Sequence, residues 1–176
     1  MRTLLRIGLA LLMAQALSIN ALAQTTAARP AAGSDTYQWS GELVSFDGAG
    51  NTATVKARIV DQEAAAEVGK FKTGDRVLLQ WSGYEAYADA IRRVVPYTES
   101  RNANDRFLLP VELASMETPN QYLTFRVRVP AGSASALKAV KPGELITVTS
   151  SHKAIRETDA VVSARPYVQT STPATD

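Results

Sequence analysis

The sequence predicts a mainly β protein: two tandem small β-barrels of OB-like or SH3-like type, each in the order β-β-α-β-β, behind a signal peptide. Three observations carry this expectation. The chain repeats itself, and self-similarity at a fixed period marks a duplicated structural unit. Residues 42–60, 70–82 and 88–97 match 112–130, 139–151 and 158–167 with 12 identities over 42 positions. Each copy closes on the same words, DAIRRVVPY and DAVVSARPY. Next, TVKARI (54–59) and TFRVRV (124–129) alternate polar and apolar residues, the period of a half-buried strand. Finally, turn formers fall at matching places: Gly48 and Gly50 in one copy, Pro119 and Asn120 in the other.

Taken in order, the first 23 residues precede the fold. Arg2 and Arg6 form a positive start, Ile7 to Leu17 an apolar run, and Ala21-Leu22-Ala23 a small-x-small cleavage pattern, so Gln24 is the expected mature start. The run is well short of the ~20 residues that cross a bilayer. No later run of spanning length follows. The expected location is therefore the periplasm or the exterior, with no membrane span. Residues 24–36 read as a flexible leader, 37–97 as the first barrel unit, 98–105 as a linker, 106–167 as the second unit and 168–176 as a tail.

Each unit opens with a hairpin. The first strands end near Phe46 and Met116 and turn through DGAGN and ETPNQ, which pairs Phe46 with Thr52 and Met116 with Tyr122. Two Ala-rich stretches, DQEAAAEVG and SASALKAV, suit about two helical turns, with Ser133 placed to cap the second. The motif K-x-G-[DE] then turns the chain into another strand. Gly74 and Gly143 supply positive φ there. A last strand ends at the shared Pro-Tyr, 96–97 and 166–167. Units of ~60 residues bury little of their surface alone, so the two are expected to pack together.

The stretch TFRVRVPAGSASALKAVKPGELITVT, 124–149, resembles the second half of the small periplasmic copper-chaperone barrels that accompany copper and silver efflux systems. That family reads M-T-F-R-V, a short apolar turn, then L-K-P-G-D-x-V. The resemblance implies the barrel. It also implies a metal held by His, Trp and two Met, the methionines lying two and four residues before the phenylalanine. Here Gln121 and Leu123 stand before Phe125, and Asn51 and Ala53 before Val55, so the thioethers that select Cu(I) are missing. No metal and no other cofactor is expected.

Composition narrows the function classes. The chain holds 19 Lys+Arg against 17 Asp+Glu, and two of those arginines lie in the segment removed at Gln24. The remainder is neutral, which argues against a nucleic-acid partner, whose phosphates reward a basic excess. With no cysteine, thiol catalysis and Cys-ligated metals are excluded, and the apolar core must hold the fold without disulfides. His152 is the only histidine and Met116 the only methionine beyond the leader. A lone His near a strand end reads as a solvated loop residue, since a metal site needs three or four convergent ligands. There is no G-x-S-x-G, no phosphate-cradling glycine loop and no H-E-x-x-H, so an enzyme is not expected.

Two features remain as candidate sites. Lys56 and Arg58 recur as Arg126 and Arg128 on one strand face. They fit either a basic stripe for an anionic envelope polymer or two cross-strand ion pairs, Glu42–Lys56 and Glu112–Arg126, which one register explains together. Trp39, Trp81, Tyr84 and Tyr87 fit an aromatic platform for a glycan or peptide, or a plug at a barrel end or domain contact. The expected function is an exported, non-catalytic binding or adaptor module whose partner is an envelope protein or polymer. The alternatives are a ligand-binding module on the aromatic surface and a metal-handling periplasmic protein.

Overall fold

The computed structural model describes residues 35–81, 90–99, 107–117, 121–152 and 156–168. The fold is mainly β: a closed five-stranded barrel with further strands continuing its sheet. Its elements run β1 (Thr36–Asp47), β2 (Thr52–Ile59), α1 (Gln62–Val68), β3 (Arg76–Trp81), β4 (Ala90–Pro96), β5 (Leu108–Glu117), β6 (Tyr122–Arg128), α2 (Ala131–Lys138), β7 (Leu145–Ser151), α3 (Glu157–Ala160) and β8 (Val161–Pro166). The order β-β-α-β-β therefore holds in each repeat, with the four-residue α3 added in the second.

The expected pair of separate barrels is corrected. All eight strands form one sheet in the order β4-β3-β5-β6-β2-β1-β7-β8, and β2 also pairs with β4. Strand β1 of the first repeat pairs with β7 of the second, and β5 of the second pairs with β3 of the first. The physical reason is that a two-stranded hairpin cannot cover its own apolar face. Here each hairpin is completed by the third strand of the other repeat. The closed barrel, β4-β3-β5-β6-β2, accordingly takes strands from both repeats.

The interleaving is symmetric. Glu42 faces Lys56 across β1–β2, and Glu112 faces Arg126 across β5–β6. Glu42 faces Leu145 and Glu112 faces Arg76 across the exchanged pairs. Val55 and Phe125, matched positions of the two repeats, pair with each other at the centre of β2–β6. Tyr37 and Phe107, also matched, meet edge to face at 5.4 Å. The turns agree too: Gly143 N–H donates to the Leu43 carbonyl and Gly74 N–H to that of Leu113, both at 2.8 Å. Both glycines have φ of 91°, the positive value expected of them.

The symmetry breaks where a backbone donor is lost. Val60 N–H donates to the Ile91 carbonyl, which helps β2 hold β4 and close the barrel. The matching residue is Pro130, which has no N–H. Among the described residues no pairing joins β6 to β8, and α3 packs against both instead.

Two local expectations shift. The hairpins pair Asp47 with Thr52 and Glu117 with Tyr122, one residue nearer the turn than expected, and Phe46 and Met116 face Ala53 and Leu123. A β-bulge at Val44, and another at Ala114, absorbs the extra residue, so the expected Glu42–Lys56 and Glu112–Arg126 oppositions are retained. Ser133 lies inside α2, which starts after Pro130. Proline's fixed φ suits a helix entrance, leaving the Ser133 hydroxyl to accept a bond from Ala164 N–H at 2.9 Å.

Candidate functional site

The two tryptophans are interior residues. Trp39 is 0% and Trp81 2% exposed, and their rings stack at 4.7 Å and 17°. They hold asymmetric places in a symmetric frame, since the repeats match Trp39 with Leu109 and Trp81 with Ser150. Trp39 donates its indole N–H to Ser150 Oγ at 2.8 Å, whereas the Trp81 indole N–H has no hydrogen-bond partner among the described residues. These two members of the expected aromatic platform are thus core, where strand alternation points them inward. Tyr84 and Tyr87 lie outside the described residues.

Two of the four cations on the expected basic face are neutralised in place. Lys56 bonds both carboxylate oxygens of Glu117, at 2.9 and 3.0 Å, and lies 4.9 Å from the Tyr122 ring centroid. The bond to Glu117 raises the lysine pKa above its ordinary value against the opposing effect of partial desolvation. Arg126 pairs with Glu112, the partner expected of it. Lys56 reaches Glu117 rather than the expected Glu42. Arg58 and Arg128 are exposed and lie toward opposite ends of the β2–β6 ribbon, facing Tyr122 and Thr52. The four cations occupy successive rows of one face of the ribbon, in the order Arg128, Arg126, Lys56, Arg58, with the middle two paired to carboxylates.

His152 is not the solvated residue expected. It is half-buried against Tyr37 at 4.8 Å and Phe107 at 4.7 Å, and its Nδ1 accepts the Phe107 N–H at 3.2 Å. Phe107 has φ of 61°, a left-handed value rare for an aromatic residue. Among the described residues, no three His, Cys, Asp or Glu side chains gather as metal ligands would.

The exposed surface differs most where the two repeats are compared position by position. One row across the sheet of the first repeat's third strand reads Tyr97, Arg76, Glu112, Arg126. Its matched row reads Tyr167, Leu145, Glu42, Lys56. In the first row Arg76 stacks on Tyr97 at 3.9 Å and bonds Glu157 at 2.6 Å, a bond that holds its guanidinium charged. In the second row Leu145 stands where Arg76 would, 46% exposed, beside Tyr167 at 44%.

Neighbouring differences run the same way. Val168 (63% exposed) matches Thr98, Val162 (52%) matches Arg92, Val44 (38%) matches Ala114, and Pro142 matches Thr73. The adjacent row runs the other way: Val95, Leu78 and Pro110 in the first repeat are matched by Arg165, Thr147 and Ser40 in the second. The face around Leu145, Tyr167, Val168 and Val44 is thus an apolar patch whose matched face carries an anchored arginine. Glu42, half-buried at its margin, makes no hydrogen bond with a described residue; Lys56 opposite it bonds Glu117 and is attracted to Glu42 at longer range.

No family model, curated protein or solved structure matches this chain. The sequence alone points to the aromatic residues Trp39, Trp81, Tyr84 and Tyr87 and not to Leu145, Tyr167 and Val168. The signal was present in the aligned repeats, as Arg76 against Leu145 and Thr98 against Val168. What it lacked was the knowledge that these positions face outward.

Proposed function

We propose that this chain is an exported, non-catalytic binding or adaptor module of the cell envelope, that its two repeats descend from one duplicated unit, and that it docks its partner on the face around Leu145 and Tyr167. The single observation that supports the docking site is the change from an anchored Arg76 and from Thr98 to exposed Leu145 and Val168 at the matched positions. A fold that tolerates Arg76 and Thr98 at those positions has no structural need for exposed Leu145 and Val168. Exposed apolar clusters of this kind mark interaction surfaces. Export rests on the leader, with its positive start, apolar run and Ala-Leu-Ala site.

The test is in-cell crosslinking of the tagged mature chain, comparing wild type with Leu145→Arg/Val168→Thr, which copies the first repeat's own residues onto the second. A specific envelope partner lost in the double variant supports the reading. A partner retained at full yield contradicts it. The glycan or peptide platform is not favoured, because both of its described members, Trp39 and Trp81, are buried.

A further inference from the structure

Building on that docking face, we infer that it recognises a cationic side chain, arginine or lysine, presented by a short partner segment next to an apolar residue. The molecule contains its own template for this complex. In the first repeat the Arg76 guanidinium lies over Tyr97 and bonds Glu157, while Glu112 of the same row is taken by Arg126. In the second repeat the corresponding row keeps the tyrosine, Tyr167, and the carboxylate, Glu42, but supplies Leu145 in place of the cation.

Leucine fills the space of the arginine's aliphatic stem and stops short of the charged head. The partly exposed Tyr167 ring offers a face for cation–π contact, and Glu42 offers a carboxylate not bonded to any described residue. An incoming Arg or Lys meets aromatic, apolar and acidic groups together, as Arg76 meets Tyr97 and Glu157 in the other half, with Glu42 here as the acid.

Other occupants fit less well. The patch has four apolar side chains, Leu145, Tyr167, Val168 and Val44, against about 20–30 residues a side in a stable protein–protein interface, so a second folded copy is poorly served. Strand addition to β8 is obstructed, because the Ser133 hydroxyl takes the Ala164 N–H and Pro166 has none. The chain's own tail after Val168, QTSTPATD, has no large apolar side chain and no cation to offer.

The experiment is an amide NMR titration of the mature chain with three blocked dipeptides: acetyl-leucyl-arginine, acetyl-leucyl-glutamine and acetyl-leucyl-glutamate methylamides. The arginine probe is expected to move the Glu42, Leu145 and Tyr167 signals saturably and to leave Arg76, Tyr97 and Glu112 unmoved. Glu42→Gln should weaken binding roughly threefold or more, as for a part-exposed ion pair. Leu145→Arg, which fills the site from within, should abolish it.

Equal response to the glutamine or glutamate probe overturns the inference, as does indifference to Glu42→Gln or the absence of a saturable shift. A dimer in sedimentation that dissociates in Leu145→Arg overturns it in favour of a second copy. Loss of the arginine response while crosslinking at the face persists removes this inference and leaves the docking reading standing.

Discussion

Replacing Trp39 by Phe should destabilise the protein more than replacing Trp81 by Phe, although the two indoles look alike by burial. They are 0% and 2% exposed and stack on one another at 4.7 Å. Shrinking either ring removes similar apolar contact and leaves a similar void, so those costs largely cancel in the comparison. The N–H groups differ. That of Trp39 is satisfied by Ser150 Oγ at 2.8 Å, and losing it costs about 1 kcal/mol net. That of Trp81 is buried without a partner among the described residues, so removing it relieves a desolvation penalty of about 1–3 kcal/mol.

Together these make Trp39→Phe the worse substitution by about 2 kcal/mol or more. Urea unfolding followed by far-UV circular dichroism measures this directly. With slopes of ~1–3 kcal/mol per molar urea, the Trp39→Phe midpoint should fall about 1 M below that of Trp81→Phe. Equal midpoints with equal slopes would refute the reasoning and mean that the Trp81 N–H is not an orphan in solution.

Three further outcomes follow from named contacts. A methyl group at Gly41 would lie 2.5 Å from Val55 Cγ1 and 3.2 Å from the Lys56 carbonyl. Gly41→Ala should therefore cost about 1–3 kcal/mol, and Val55→Ala in the same chain should recover part of that loss in a thermal melt. Gly74→Ala and Gly143→Ala should each cost about 1 kcal/mol and match each other, since both have φ of 91° and nothing within 4 Å of the added carbon; unequal losses would count against the symmetric frame. The Lys56 pKa is raised in the folded chain, so folding is favoured by the protonated lysine and that contribution is lost as pH climbs beyond 10.5 and past the raised value. The stability difference between wild type and Glu117→Gln should shrink on that alkaline side, and a difference constant to high pH would show that the pair does not act through charge.

Much of the fold could be read from residues alone, because its determinants are local. Period-two alternation located β2 and β6, the K-x-G-[DE] words located both positive-φ turns, and the repeat gave the shared element order. The oppositions of Glu42 with Lys56 and Glu112 with Arg126 survived an incorrect turn register only because the bulges at Val44 and Ala114 compensate for it. Local signals carry no bulge, since the backbone at these residues departs from pleat without special side chains.

The exchange of third strands was illegible for a different reason. Strands β3 and β7 share one burial pattern, and their inner-face difference, Trp81 against Ser150, names no hairpin until the strands are placed. The candidate site followed suit. Leu145 reads as one more strand leucine until its register beside Tyr167 and Glu42 places it at the surface.

The interleaving of the two repeats supports the whole comparison of their faces, and a single crosslink tests it. Gln38 of β1 lies opposite Thr149 of β7. The hydrogen bond from Leu43 N–H to the Glu144 carbonyl, with alternation along the ladder, makes 38 and 149 a non-hydrogen-bonded pair. Such pairs bring Cα atoms to about 4.5 Å, within the ~4.4–6.8 Å that a disulfide spans. The native chain has no cysteine to confuse the result. Gln38→Cys/Thr149→Cys, oxidised and then cut by a site-specific protease between residues 98 and 106, should run as one band without reductant and as two with it. Two bands under both conditions, with both thiols free to alkylate, would mean that the repeats are separate barrels.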